Sequence, residues 1–249
     1  MSGGTVVVTA AAGSFPGLSE ALRALSADVV EVPLLTFAAP TDWTEVDRAI
    51  RDLRRYAAIA FTSPRAAVAF GRRWESIGRD SLPPVWAAGR HTASALQPLA
   101  STVRTAPEDE IGRIGAAAAV AAAMLRDGIA GPVLFPCGEI RRDELPTRLR
   151  QEGVEVDEVV CYRSVVASDD AAREAVRRAG ILIVASPSVA ELLARASAST
   201  SRPSLLAVGP TTAAAARAAG WQPAAVAAHP DVDALVAEVR SLLVEPSTR

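Results

Sequence analysis

The chain has 249 residues, half of them hydrophobic, with 22% charged and only 4% aromatic. That is enough polymer for one large domain or two smaller ones, and it excludes disorder and collagen, because the apolar fraction is high and no glycine period runs through it. Lys plus Arg at 26 against Asp plus Glu at 28 give a net charge of −2, without the basic excess that a general nucleic-acid binder carries.

In chain order, short aliphatic runs read as strands at Thr5 to Ala10, Val29 to Leu35, Ala57 to Phe61, Val85 to Ala88, Val133 to Phe135, Val154 to Val160, Ile181 to Ala185 and Leu205 to Val208. Helical patterns lie between most of them: Leu18 to Leu25, Trp43 to Leu53, Arg65 to Trp74, Thr92 to Leu99, Gly112 to Leu125, Glu144 to Gln151, Ala171 to Ala179, Ser188 to Arg195 and Thr211 to Ala219. Continuous apolar strands separated by amphipathic helices are the mark of parallel sheets covered on both faces, so the class is α/β. With so few aromatics the core falls to Ala, Val, Leu and Ile. The Arg51, Arg54, Arg55 and Arg72, Arg73 clusters read as solvated helix faces. Cys137 and Cys161 are too few for a disulfide framework. The Ala116 to Ala123 run is too short to span a bilayer, and no basic region followed by an apolar one opens the chain, so a cytoplasmic protein is expected.

The chain repeats itself. Gly89-Arg90-His91-Thr92-Ala93 and Gly209-Pro210-Thr211-Thr212-Ala213 each follow a strand, with their glycines 120 residues apart. Phe61-Thr62-Ser63-Pro64 and Val184-Ala185-Ser186-Pro187 form a second pair, with serines 123 residues apart, and Val6-Val7-Val8-Thr9 matches Val133-Leu134-Phe135-Pro136. Two similar α/β halves follow from these landmarks. Val29 to Leu35 and Val154 to Val160 alternate apolar and charged residues as exposed ribbons do. They are read as the places where the chain crosses between lobes, and as candidates to pair with each other.

In open α/β sheets ligands gather at the carboxyl ends of the strands. Thr62-Ser63-Pro64-Arg65, Gly89-Arg90-His91-Thr92, Ser186-Pro187-Ser188 and Gly209-Pro210-Thr211-Thr212 each set a hydroxyl beside a helix start. There it serves either as a simple cap or as part of an anion-binding cleft. Arg65 and Arg90 are the first cationic additions, Arg141 and Arg142 the second. His91 and His229 lie in different halves, no spaced Cys/His group exists, and neither phosphate-loop pattern is present, so no metal and no nucleotide cofactor is expected. No G-x-S-x-G elbow supports a serine nucleophile. Tyr162, in Cys161-Tyr162-Arg163-Ser164, is read either as a hydrogen-bond donor or weak acid in the cleft, or as a ring packed on the hinge. Tyr56 reads as a packing residue, and Cys161 as partly exposed.

Together, Phe61-Thr62-Ser63-Pro64-Arg65, Ala88-Gly89-x-x-Thr92-Ala93, Val160-Cys161-Tyr162-Arg163-Ser164 and Val208-Gly209-Pro210-Thr211-Thr212-Ala213 resemble the uroporphyrinogen-III synthase family over nearly the whole chain. The resemblance implies two similar three-layer parallel-sheet lobes joined by a two-stranded β ribbon. The first lobe would comprise residues 1–33 and 167–249, the second 37–160, and the ribbon 29–36 and 154–166. It implies cyclisation of hydroxymethylbilane, a linear tetrapyrrole with eight carboxylates, with inversion of ring D and loss of water, and with no cofactor. By match to the family, Tyr162 looks like the donor that helps the hydroxyl leave. Ser63, Arg65, Thr92, Ser186, Thr211 and Thr212 look like residues holding acetate and propionate groups. The expected partners are this small-molecule substrate and, transiently, the preceding enzyme of its pathway; neither nucleic acid nor membrane is expected, and the protein would be a monomer. The rival class is a non-catalytic two-lobed module for a small polycarboxylate. Two positions depart from the family: Ala10 stands where Arg is common after Thr9, and Asp231 where Thr is common after Pro230.

Overall fold

A computed structural model describes residues 4–78, 81–197 and 202–244. Its elements follow the apolar runs closely. The N-terminal segment holds β1 (Thr5–Val8), α1 (Leu18–Arg23) and β2 (Asp28–Glu31), and β3 (Leu35–Ala38) leads out of it. Next come α2 (Thr44–Arg51), β4 (Ala58–Phe61), α3 (Pro64–Ile77), β5 (Val85–Ala87), α4 (Arg90–Leu96), β6 (Val103–Thr105), α5 (Glu108–Ile114), α6 (Ala116–Arg126), β7 (Val133–Gly138) and α7 (Glu144–Gln151). The long β8 (Val156–Val166) is followed by α8 (Asp169–Arg178), β9 (Ile181–Val184), α9 (Pro187–Ala196), β10 (Ser204–Ala207), α10 (Pro210–Ala218), β11 (Ala225–Val226) and α11 (Val232–Val244).

The chain divides into two compact units, 1–37 with 165–249, and 38–164. The first is built on a sheet of order β2-β1-β9-β10-β11, parallel at every junction. The second is built on β8-β7-β4-β5-β6, again parallel, with β3 added beyond β8. Position by position the two orders are the same: β1 corresponds to β7, β2 to β8, and β9, β10 and β11 to β4, β5 and β6. The chain merely enters the second sheet at a different strand. Thr5 pairs with Asp28 and Val133 with Val156, so the register of the matched pairs is 23 residues in both. All three sequence landmarks fall on corresponding strands, and the two-lobed α/β class stands.

Each sheet is covered on both faces because its strands alternate. Val7, Leu182 and Val184 join one apolar cluster with α8, α9 and α10, whereas Val6, Val8, Ile181 and Ile183 join another with α1 and α11. In the second unit Ile59, Phe61 and Leu134 face α2, α3 and α4, while Ala58, Ala60, Val133 and Phe135 face α6 and α7. Ala58 and Ala60 share one apolar cluster with Ala119 and Ala123, so the alanine-rich composition supplies core on the α6 face of the sheet.

Two expectations are corrected. The alternating stretches do not pair with each other. Val29 to Glu31 lies in a parallel strand at the edge of the first sheet, and Val156 to Tyr162 pairs with β7, while the other side of β8 carries β3, the strand that follows the first stretch. The contact between the crossing segments comes later in each: Ala167 N–H donates to the Leu34 carbonyl at 3.0 Å, and Arg163 Nε to the Ala39 carbonyl at 3.1 Å. The expected single helix from Gly112 is two, broken at Gly115, whose φ of 86° ends α5 and starts α6. β6, β11 and α11 go beyond the elements expected from pattern.

Candidate functional site

In the second unit β4 hands the chain to α3 on one face and β7 hands it to α7 on the other. Adjacent strands that part to opposite faces leave a crevice at their carboxyl ends. A cavity of about 390 Å³ lies there. Its wall includes Thr62 and Ser63 after β4, Cys137 and Gly138 at the end of β7, Tyr162 on β8, the α5–α6 junction, and Ile140 to Arg142.

Local chemistry fixes the central pair. Ser63 is extended at φ −140° and ψ 130°, and Pro64 opens α3 where no amide hydrogen is needed. The Ser63 hydroxyl accepts from the Ala66 amide at 3.4 Å and lies 3.3 Å from the Tyr162 hydroxyl. An oxygen that accepts from an amide has its own hydrogen to give. Donated to the phenol oxygen, it fixes where that oxygen lies. Tyr162 reaches this point because it stands opposite Gly138, where the β7–β8 register shifts, and its carbonyl accepts from the Glu139 amide at 2.9 Å.

Apart from Glu144, the charged and dipolar groups of the rest of the wall favour negative charge. Ala116 to Ala118 form the first turn of α6, which no side chain caps, so amide hydrogens and the positive end of the helix border the cavity. Arg141 and Arg142 add two guanidiniums. Glu158 binds Arg141, and Arg150 at 2.8 Å. Burial pushes the Glu158 carboxyl up, but the hydrogen bonds from the two arginines outweigh it and hold the group below the usual range. Arg142 makes no ion pair among the described residues. Burial pushes the Cys137 thiol up to about 11, so it stays neutral and is no nucleophile.

The predicted residues separate. Ser63 and Tyr162 line the cavity; Arg65 and Arg90 are exposed in the first turns of α3 and α4, outside its wall. Thr92 on α4 and Thr212 on α10 are each 2% exposed. Their helices start from Gly89 (φ 89°, ψ 165°) and Gly209 (φ 92°, ψ 167°), with no side-chain cap, so the expected hydroxyl caps are absent from these two loops. Ser186, Thr211 and Thr212 belong to the first unit. Ser186 repeats the Ser63 conformation at φ −135° and ψ 136°, but its hydroxyl meets Ser188 at 2.9 Å and caps nothing. Cys161 is fully buried, not partly exposed, and Tyr56 does more than pack, donating to Asp157 at 2.8 Å. Asp231 accepts from the Ala234 amide at 2.8 Å as the cap of α11, and Ala10 is buried against Leu18 and Leu22 in the core beside α1. Sequence reasoning missed the α6 turn and the part played by Gly138. The glycine interrupting the helical run at 115 was the signal for the first.

Matched doubly wound lobes, with an anion-favouring crevice and a hydroxyl pair at the carboxyl end of one sheet, define a two-domain α/β protein suited to an acidic ligand. The sequence matches the family model for uroporphyrinogen-III synthase HemD over residues 17–237. The chain belongs to that family, and its activity is the cyclisation of hydroxymethylbilane to uroporphyrinogen III in tetrapyrrole biosynthesis. The fold is similar to uroporphyrinogen-III synthetase from Helicobacter pylori, at 17% identity and TM-score 0.60, covering 96% of this chain and 99% of that one. It is also similar to a mutant uroporphyrinogen III synthase from the extremely thermophilic bacterium Thermus thermophilus, at 16% identity and TM-score 0.59, covering 96% and 98%. No curated protein matches the sequence.

Proposed function

We propose that Tyr162 is the acid of the cyclisation and that the second-unit cavity holds the reacting end of hydroxymethylbilane. The phenol gives its proton to the terminal hydroxyl, the C–O bond breaks, and water leaves as the pyrrole nitrogen supplies electrons to the exposed methylene. The substituted carbon of ring D attacks that methylene, and the resulting spiro centre fragments and recloses in the inverted sense. Only water is lost overall, so the proton shed when the last ring regains aromaticity returns to the phenolate. The Ser63 hydroxyl, itself held by the Ala66 amide, fixes where the phenol oxygen lies for both proton transfers. The observation that carries this reading is the 3.3 Å approach of Tyr162 to Ser63, with Ser63 already accepting the Ala66 amide.

The ligand is a flexible polyanion, and its closure in the wrong sense needs no enzyme. Geometry is therefore the main contribution. Arg142, Arg141 and the α6 amides hold carboxylates in the second unit, with Arg65 and the loop before Thr92 beside them. The first unit contributes Ser186, Thr211 and the amides around Thr212. Among the described residues no helix is long and apolar enough to cross a membrane. A monomer in the cytoplasm, meeting the preceding enzyme transiently, completes the proposal, because a substrate that closes spontaneously has little time to diffuse.

The test is a supply of fresh hydroxymethylbilane and the ratio of type III to type I product. Tyr162→Phe should lower kcat by about 10²-fold, the lower end for a general acid, with KM changed far less. An unchanged kcat would remove the phenol from the chemistry. A folded wild-type chain that binds the substrate but makes type III product only at background would return the binding-module reading.

A further inference from the structure

We infer that Gly138 is a positioning residue for Tyr162: the bare α-carbon at the end of β7 is the seat on which the phenol ring rests, and it sets where the hydroxyl points. The inference rests on the proton-donor reading of Tyr162.

A Cβ built on Gly138 would lie 2.6 Å from Tyr162 Cζ, 2.9 Å from Cε2 and 2.8 Å from the hydroxyl oxygen. Carbon atoms in contact sit near 3.5–4.0 Å, so one of the two must move. The group met is the polar end of a planar ring, which cannot fold aside as an aliphatic tip can. Gly71 makes the contrast, since the three atoms nearest to a Cβ there are the Leu99 methyl groups and their branch carbon.

Backbone conformation gives no other reason for glycine at this place. Gly138 is not among the positive-φ residues, and the glycines that are, among the described residues, have nothing within 4 Å of an added Cβ. The three atoms nearest to a Cβ at 138 all belong to the Tyr162 ring and its hydroxyl. The surroundings leave the ring few alternatives. The Glu139 amide holds the Tyr162 carbonyl at 2.9 Å, the register shift falls between Cys137 and Gly138, and Ser63 meets the hydroxyl at 3.3 Å. Seat, strand and hydroxyl partner together place one oxygen. A displacement of about 1 Å in such a group can cost on the order of 10²-fold in rate.

The test compares Gly138→Ala, Tyr162→Phe and the double variant in turnover of hydroxymethylbilane, with NMR of protein labelled at the tyrosine ζ-carbon. The chain has two tyrosines, so Tyr56 serves as an internal reference. Gly138→Ala should move the Tyr162 resonance and leave that of Tyr56 in place, and should lower kcat by about as much as Tyr162→Phe. The double variant should be no slower than Tyr162→Phe alone, because both changes remove the same group from its place. A Tyr162 resonance unmoved in Gly138→Ala, or losses that multiply in the double variant, would overturn the inference. If Tyr162→Phe turns over normally, it is the proton-donor reading that fails, while the resonance still decides the seating. Should Gly138→Ala not fold, Gly138→Ala with Tyr162→Leu removes the ring that the methyl meets and should fold. Failure of that pair would assign the glycine to the backbone and end the proposal.

Discussion

Glu158 shows how a side chain outside the reacting pair shapes the cavity. Its carboxylate, 15% exposed, gathers Arg141 and Arg150 onto β8, so Arg141 borders the cavity with its charge already answered. Arg142 is left as the stronger carboxylate partner. Replacing Glu158 by Gln keeps the shape and removes the charge. The expected cost is about 1–2 kcal/mol, above an exposed ion pair and below a fully buried one. Because its folded-state pKa is depressed, the stabilisation is complete above the ordinary value of 4.5 and is lost as pH falls through the lower folded value. Urea unfolding of wild type and Glu158→Gln should therefore differ at about pH 7 and converge as pH falls below the depressed folded-state value. A difference that persists in acid would mean that packing, not charge, is what the carboxylate supplies.

Helix starts separate stability from function at the next scale. Ser63 caps α3 and Ser168 caps α8, accepting from the third amide onward at 3.4 and 3.3 Å. Only Ser63 also meets the phenol. Ser168→Ala and Ser63→Ala should each lose about 1 kcal/mol in urea unfolding, the ordinary value of such a cap, but only Ser63→Ala should slow turnover. Equal effects on activity would make the Ser63 contact incidental. These starts were the most legible part of the sequence. A serine before proline, or a glycine before a threonine-bearing turn, names its own backbone conformation, and Ser63 with Ser186 and Gly89 with Gly209 agree closely in φ and ψ. The strands at the sheet edges were less legible, because Val103–Thr105 and Ala225–Val226 bury little and carry no strong alternation. α11 was readable from Leu235, Val239 and the capping Asp231 and was missed. The cavity was legible only in part. Ser63 and Tyr162 stand in recognisable motifs, but the Gly138 seat depends on two residues brought opposite by strand pairing, which no local pattern records.

The whole molecule carries one architecture twice, in two chain orders. The second sheet is written β4-β5-β6-β7-β8 along the chain, and the first is written β1-β2 at one end and β9-β10-β11 at the other. Each has helices on both faces, and the clusters flanking the second sheet draw only on residues 43 to 162. The first unit is discontinuous only in sequence, since its ends meet: a Cβ on Gly4 would lie 3.8 Å from a Leu243 methyl. A chain running 165–244, then a flexible linker of about six residues, then 4–37 would thus keep every strand in place and adopt the chain order of the second unit. Termini that lie close together on a domain with its own core are the condition under which such permutation is tolerated. The permuted unit should unfold in one cooperative urea transition with the α/β circular dichroism of a five-stranded doubly wound lobe, and should form no uroporphyrinogen III. A non-cooperative transition would mean that the first unit needs the second in order to fold, and that the correspondence between the two sheets is one of topology without independent stability.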